Sequence, residues 1–208
     1  PVLQSCVTQK ASDNGWTLVA EVTSLRCAYV GVGNTSGLEN FTALTSLDLG
    51  GNGLSAVPQL PSLTKLQNIF LEWNNLVELP VLSDLSELRT IVIFGNQLTN
   101  LNGLANLPAL QNLLAEDNNI SDISGLTNVT TLSSIEMANN NVSDVSPLAN
   151  LNALTWINLF GSSITDVSPL MSLTQLSIVL AGNDGIKCAD LDALEAAITA
   201  VHWGSCQP

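Results

Sequence analysis

Residues 66–76 read LQNIFLEWNNL, and the same pattern returns along the chain every 22 residues. Written generally it is L-x-x-L-x-L-x-x-N-x-L, where x is any residue. Its first column contains Leu44, Leu66, Leu88, Leu110, Leu132, Leu154 and Leu176. Seven matches in one register are far too many for chance, so we expect a repeat architecture in which each unit is one supersecondary element.

Each unit has two halves with different apolar spacing. The L-x-L part alternates with a period of two, which predicts a short strand whose apolar residues point inward. The second half has apolar residues three apart, as at Val57, Leu60 and Leu63, and this spacing is typical of a 3₁₀-like turn. Each repeat is therefore predicted to be one coil, and stacked coils bury a continuous core that no single repeat closes alone.

An asparagine column follows the strand in each repeat. Its members are Asn52, Asn74, Asn96, Asn118 and Asn140. A coil that turns off a strand leaves buried peptide groups unpaired, and an Asn amide both donates and accepts hydrogen bonds. We interpret the column as a structural ladder. In a strict 22-residue register it passes to Ser162 and Asp184, where we expect looser turns.

Composition excludes several classes of function. The chain has 208 residues with 18 acidic and 5 basic side chains, a formal net charge of -13. Binding to nucleic acid depends on Lys and Arg, and an anionic membrane surface repels an acidic protein. No apolar run reaches the roughly 18 to 20 residues of a membrane span. The start at Pro1, without Met or a signal peptide, predicts a mature or trimmed product.

The repeats resemble the leucine-rich repeat family. Unit endings such as ISDISGL at 120–126 and VSDVSPL at 142–148 are similar to its bacterial, internalin-like subclass, and the resemblance covers about residues 20–188. It implies an α/β solenoid with short parallel strands on the concave face, 3₁₀-like turns on the convex face and capped ends. For function it implies protein recognition, without naming the partner.

The ends of a solenoid must differ from its middle, because they would otherwise expose the core. We divide the chain into an N-terminal cap with the first strand at 1–40, seven 22-residue repeats at 41–187 and a C-terminal cap helix at 188–208, all in one continuous domain. Cys27 falls at an inward strand position, and we predict that a disulfide to Cys6 closes the first cap.

The second cap is predicted to be a helix that begins near Ala189 and is closed by a Cys188–Cys206 disulfide. Its apolar face has helical spacing. The residues on that face are Leu191, Leu194, Ile198 and Val201. Such bridges stabilise small caps and persist in an oxidising compartment, so we expect a secreted or cell-surface protein.

The four cysteines have two alternative uses. A zinc site is disfavoured because neither pair has C-x-x-C spacing and the pairs lie at opposite ends of the solenoid, so we expect no metal there. Residues 3–6, LQSC, resemble a bacterial lipoprotein cleavage site, which would place a lipid on Cys6. That alternative leaves Cys27 without a partner.

Residues between the inward strand positions face outward, onto the concave sheet. Six of the nine aromatic residues are predicted in these columns, namely Tyr29, Phe70, Trp73, Phe94, Trp156 and Phe160. The 22-residue register also places Ile178 and Leu180 there. Because adjacent strands lie about 4.8 Å apart, Phe70, Val92 and Leu114 should lie side by side.

Aromatic residues with apolar neighbours and an acidic rim are typical of a protein-binding hot spot. The alternative is that cross-strand pairs merely stabilise the sheet. We predict that the concave face binds a protein whose own surface has a basic rim around an apolar centre. The predicted contact residues are Phe70, Trp73, Val92, Phe94, Leu114, Glu72, Glu116, Asp117, Glu136, Trp156 and Phe160, and Asp48 adds to the rim.

A second acidic column contains Asp122, Asp144 and Asp166, again 22 residues apart. Calcium between neighbouring coils would relieve the repulsion of stacked carboxylates. The favoured interpretation is that each Asp caps the short turn that follows it.

Catalysis finds little support. The single histidine, His202, and cysteines assigned to bridges offer no nucleophile with a base, and there is no phosphate-binding glycine loop. Glu72 and Glu116 are two strands apart on an open face, so acid–base work on glycans is disfavoured. We expect no enzyme, no cofactor and a monomer. A carbohydrate or cell-wall binder using Trp156, Asn158 and Phe160, and a structural spacer, are the alternatives to a protein binder.

Overall fold

A computed structural model describes residues 2–15, 17–57, 60, 62–82 and 84–208. The predicted segment 1–40 includes Pro1 and Trp16, which lie outside the described residues. Neither helix in the described part of the chain has the length and apolarity that a membrane span requires.

Nine three-residue strands form one parallel sheet, in which the spatial order is the chain order. The strands are β1 Ser24–Arg26, β2 Ser46–Asp48, β3 Asn68–Phe70, β4 Thr90–Val92, β5 Asn112–Leu114, β6 Ser134–Glu136, β7 Trp156–Asn158, β8 Ser177–Val179 and β9 Ala200–His202. Each strand is short because the coil turns away from the sheet directly after the L-x-L part. The solenoid predicted from the repeat is confirmed.

Six 3₁₀ turns lie on the other side of the coils, as the three-residue spacing predicts, whereas in the coil of Val57, Leu60 and Leu63 residues 58, 59 and 61 lie outside the described part of the chain. The turns are Val19–Glu21, Leu38–Asn40, Asn102–Leu104, Ser124–Leu126, Ser146–Leu148 and Ser168–Leu170. Between strands and turns, one continuous apolar core runs from Leu3 to Ile198. The central residues of β1 to β8 are all buried in it.

The asparagine ladder connects successive coils. In Asn118, Oδ1 accepts the backbone N–H of Leu98 at 3.0 Å. Its Nδ2 donates to the backbone carbonyls of Ile93, Ala115 and Glu116 at 3.1, 3.2 and 3.1 Å. One side chain thus pairs peptide groups in its own coil and in the preceding one, which is the role that the sequence predicts.

Helix α1, Val2–Asn14, packs at the N-terminal end, and helix α2, Cys188–Ala197, at the C-terminal end. The predicted disulfides Cys6–Cys27 and Cys188–Cys206 are both present. The N-terminal helix was not predicted, since Leu3 is its one buried side chain and the segment therefore has no apolar stripe.

The predicted face of the second cap helix is only partly correct. Leu191 and Leu194 are buried on α2, as expected. The helix ends at Ala197, so Ile198 follows it and Val201 lies on β9. The chain after α2 therefore returns to the sheet and adds a last strand.

The 22-residue register is wrong at the last repeat. Trp156 pairs with Ser177, a step of 21, because one residue fewer separates Leu176 from the strand. Ile178 and Leu180, predicted to face outward, are buried with 0% and 1% exposure.

The ladder changes with this register. Asn183, and not Asp184, takes the ladder position, where its Oδ1 accepts the N–H of Ile164 at 3.0 Å. Its amide nitrogen donates to the carbonyls of Leu159 and Leu180. The expected replacement of the ladder by Asp184 is therefore wrong.

Candidate functional site

The concave face consists of the outward side chains of β1 to β8 together with two further residues in each coil. These two directly follow the inward residue after the strand, as Glu72 and Trp73 follow Leu71. At its centre, Phe70 pairs in register with Val92, and Val92 with Leu114. The predicted apolar row on three adjacent strands is thus in place. Val92 is only 7% exposed, so it supports its neighbours and offers little surface of its own.

Two aromatic side chains stand beside this row. The rings of Trp73 and Phe94 meet edge to face, with centroids 5.4 Å apart and planes at 88°. Trp73 is 52% exposed, whereas Phe94 is half-buried. We call these two residues, together with Phe70 and Leu114 of the neighbouring row, the aromatic cluster.

Trp73 and Tyr29 have an unusual backbone. Their φ angles are 53° and 57°, in the left-handed region, where a bulky side chain costs about 1–2 kcal/mol. Each ring lies over a glycine of the next coil. A Cβ on Gly95 would overlap the Trp73 ring, and one on Gly51 would overlap the Tyr29 ring. This alternation of aromatic residue and glycine is visible in the sequence, but it was not used in the predictions.

Glu72 and Glu116 stand on either side of Phe94, each at the corresponding position of a neighbouring coil. In both, Oε2 is buried and has no hydrogen-bond partner. Burial raises the pKa of both carboxyl groups. Nearby acids add to this effect, Asp48 for Glu72 and Glu136 for Glu116.

The other predicted rim acids have partners within the chain. Asp48 forms an ion pair with Arg26 at 3.0 Å. Asp117 accepts a hydrogen bond from the Asn139 amide at 2.8 Å. Glu136 accepts one from the indole N–H of Trp156.

The C-terminal part of the predicted site lies apart from the aromatic cluster. Trp156 and Phe160 are on the coil of β7, two strands from Leu114 on β5, which is about 10 Å along the sheet. Phe160 is 45% exposed. The side chain of Asn158 accepts the backbone N–H of Phe160 at 3.1 Å. Glu136 on β6, which accepts the Trp156 indole N–H, lies between these aromatic residues and the aromatic cluster.

The second acidic column is engaged with backbone. The carboxylates of Asp122, Asp144 and Asp166 accept the N–H of the residue two positions on, at 2.9, 2.8 and 2.8 Å. The amide of Ser124 lowers the pKa of Asp122, and the hydroxyl and amide of Ser168 lower that of Asp166. This is the turn-capping contact that the sequence favours.

The metal and lipid alternatives find no support in the geometry. In the described ranges, no three potential metal ligands cluster together. The Cys6 sulfur, which the lipid alternative needs, is bonded to Cys27.

No protein-family model matches the sequence, and no curated protein sequence is significantly similar to it. Solved structures do match. Internalin C2 of Listeria monocytogenes is 28% identical, with a TM-score of 0.85 over 98% of this chain and 93% of that one. Internalin F of the same species is 22% identical, with a TM-score of 0.55 over 91% of this chain and 75% of that one.

A leucine-rich repeat protein of Leptospira interrogans is 19% identical, with a TM-score of 0.75 over 95% of this chain and 57% of that one. With the strand, turn and ladder geometry above, these similarities define the class: the chain is a leucine-rich repeat protein. Within that class it is internalin-like, with the overall form of internalin C2.

Proposed function

We propose that this protein is an extracellular or cell-surface recognition module, monomeric and not an enzyme, that binds a protein partner through its concave face. The observation that carries the proposal is Trp73, a half-exposed aromatic side chain held in a left-handed backbone conformation at the edge of the aromatic cluster. Exposed aromatic side chains around a buried apolar centre are the usual anchors of protein interfaces.

Stabilisation of the sheet does not explain this arrangement. Trp73 covers Gly95, but the equivalent positions two and three coils further on are Asp117 and Asn139, also with positive φ. Asp and Asn adopt this conformation with less strain than Trp. Folding alone would therefore favour a small polar residue at position 73, and the tryptophan needs a reason outside the fold.

The similarity to internalin C2 supports a role in protein interaction, as does the leucine-rich repeat class in general. Two disulfides at the ends of the solenoid support an oxidising location. The excess of acidic residues argues against nucleic acid as the partner.

A carbohydrate ligand at Trp156, Asn158 and Phe160 is less well supported. Sugar recognition needs free polar groups beside the aromatic rings. Here the Trp156 indole donates to Glu136, and the Asn158 side chain accepts a backbone N–H. An array of glycans and candidate surface proteins distinguishes the two functions, since we expect signals from proteins alone.

The direct test is the triple variant Phe70→Ala/Trp73→Ala/Phe94→Ala, compared with wild type in binding to the proteins identified on that array. We expect binding to be abolished while the unfolding midpoint changes little. The matched control is Val77→Ala/Val81→Ala, which removes apolar side chains that are 54% and 60% exposed but lie off the concave face. Intact binding together with a large loss of stability would contradict the proposal.

A further inference from the structure

We propose that the partner presents two cationic side chains, one to Glu72 and one to Glu116, with an apolar side chain between them on Phe94. This inference rests on the proposed function and adds the chemistry of the partner. It follows from which acids of the concave face have partners within the chain.

The concave face has five acids, and three of them are already occupied. Arg26 pairs with Asp48, the Asn139 amide donates to Asp117 and the Trp156 indole donates to Glu136. The two acids whose Oε2 atoms are buried and unpaired are Glu72 and Glu116. A buried acceptor without a partner is unfavourable, and one that is charged more so.

No cation of the described concave face forms an ion pair with Glu72 or Glu116, although the charge of Arg26 acts on Glu72 from a distance. Arg26 is the one Lys or Arg in its outward columns, and it lies 3.0 Å from Asp48. Both glutamates are only partly buried, so a Lys or Arg of a partner can approach the exposed part of each side chain and stabilise its carboxylate by charge-assisted interaction. The net charge of -13 would also attract a basic surface over a longer range.

The spacing of the two carboxylates defines the pattern that they recognise. Glu72, Phe94 and Glu116 occupy the same position in three successive coils. With strands about 4.8 Å apart, the two Glu Cα atoms are about 10 Å apart. Phe94 stands between the two carboxylates, and within the described ranges no third potential metal ligand joins them. Two separate cations can bind there, with the Phe94 ring between them.

The residues at the corresponding position of the two flanking coils are small. The Glu72 side chain packs on Gly50, where a Cβ would overlap its carboxylate. Beyond Glu116, the corresponding position of the next coil is Ala138, the carbonyl of which accepts the N–H of Asp117. The two carboxylates therefore have no bulky neighbour on their outer sides.

The probe for this inference is a phage library of short random peptides, selected on the intact immobilised protein. We expect the enriched peptides to carry Lys or Arg on both sides of an apolar or aromatic residue. A synthetic peptide of the consensus sequence should lose about tenfold or more in affinity for Glu72→Gln or Glu116→Gln, since a hydrogen bond to a charged group contributes about that much. The control, Glu78→Gln or Glu87→Gln, changes the net charge equally by removing one exposed acid off the face.

The outcomes separate this inference from the proposed function. Peptides that bind wild type but not the Phe70→Ala/Trp73→Ala/Phe94→Ala variant, yet lack basic residues or are weakened equally by the control, would overturn the inference and leave the function standing. Peptides that bind the triple variant as well as wild type would overturn both. Failure to enrich any peptide would also count against the inference.

Discussion

Ser162 interrupts the asparagine ladder, and Ser162→Asn should therefore stabilise the protein. In each coil from Asn74 to Asn140, the ladder Oδ1 accepts a backbone N–H of the preceding coil. The donor that corresponds to Ser162 is the N–H of Val142, which has no partner within the described residues. The Oγ of Ser162 is itself buried and unpaired.

The backbone at this position has the geometry that the ladder needs. The N–H of Ser163 donates to the carbonyl of Val142 at 2.8 Å, just as that of Asn141 donates to Ile120 at 2.8 Å. A surface pocket of about 310 Å³ beside Ser162 is lined by residues 162–165 and by residues 182–185 of the following coil. An Asn amide there should reach the Val142 N–H and carbonyls of its own and the preceding coil.

The expected gain follows from the hydrogen bonds formed. Pairing the Val142 N–H and donating to two carbonyls contributes about 1 kcal/mol each, and ordering the side chain costs about 1 kcal/mol. We therefore expect Ser162→Asn to raise the free energy of unfolding by about 1–2 kcal/mol. For a chain of this size that corresponds to an increase in Tm of about 3–6 °C.

Thermal unfolding followed by circular dichroism measures this gain. Ser163→Asn is the matched control, since it makes the same substitution at the adjacent exposed position and should leave Tm unchanged. The reverse change, Asn118→Ala, leaves the Leu98 N–H unpaired and should lower stability by about 3 kcal/mol. A Ser162→Asn variant no more stable than the control would refute this account of the ladder.

Three further variants test other parts of the structure. Gly95→Ala should lower stability more than Gly53→Ala, because both have positive φ but only the first places a methyl group against the Trp73 ring; urea unfolding of the pair isolates that contact. Replacing both cysteines of the C-terminal bridge by Ser should lower stability by about 3 kcal/mol in the same assay under non-reducing conditions. The double variant Glu72→Gln/Glu116→Gln should be more stable than wild type, and the difference should grow between pH 4 and pH 7. A carboxyl group whose pKa is raised in the folded protein lowers the stability of wild type as pH rises above the ordinary pKa of 4.5, whereas Gln does not titrate. A gain that did not change with pH would contradict the burial argument.

The repeated elements could be predicted from the sequence because one physical requirement recurs in each coil. An inward L-x-L strand and a ladder Asn satisfy the core and the buried peptide groups together, as at Ile93 and Asn118. Seven copies make the signal strong. The end structures have no such repetition, so α1, with Leu3 alone buried, left no recognisable pattern.

The error at the last repeat has a visible cause. A strict period assigns Ala181 to an inward position and Asp184 to the ladder, whereas removing one residue after Leu176 assigns Leu180 and Asn183. The second alignment places apolar and amide side chains where the core and the ladder need them. The correct register therefore follows when each repeat is aligned by its apolar and amide residues and not by a fixed spacing.

The position of the candidate site was predictable, but its electrostatics were not. Alternation along the strands places Phe70, Glu72 and Phe94 on the outer face whatever the details of packing. Which carboxylates find partners depends on side chains in neighbouring coils, such as Arg26 for Asp48. A sequence column lists five similar acids, whereas the structure divides them into three that are occupied and two that are free.

This division links stability to recognition. The ladder and the core hold each coil independently of the concave side chains, so that face can carry the strained Trp73 and the unpaired carboxylates of Glu72 and Glu116 without unfolding. Residues kept for binding commonly reduce stability. Glu72→Gln/Glu116→Gln should therefore be more stable than wild type at neutral pH and yet bind the selected basic peptides more weakly. If the carboxylates are instead retained for folding, the same substitution should lower the stability of the protein. Stability and peptide binding, both measured on this one variant, decide between these roles.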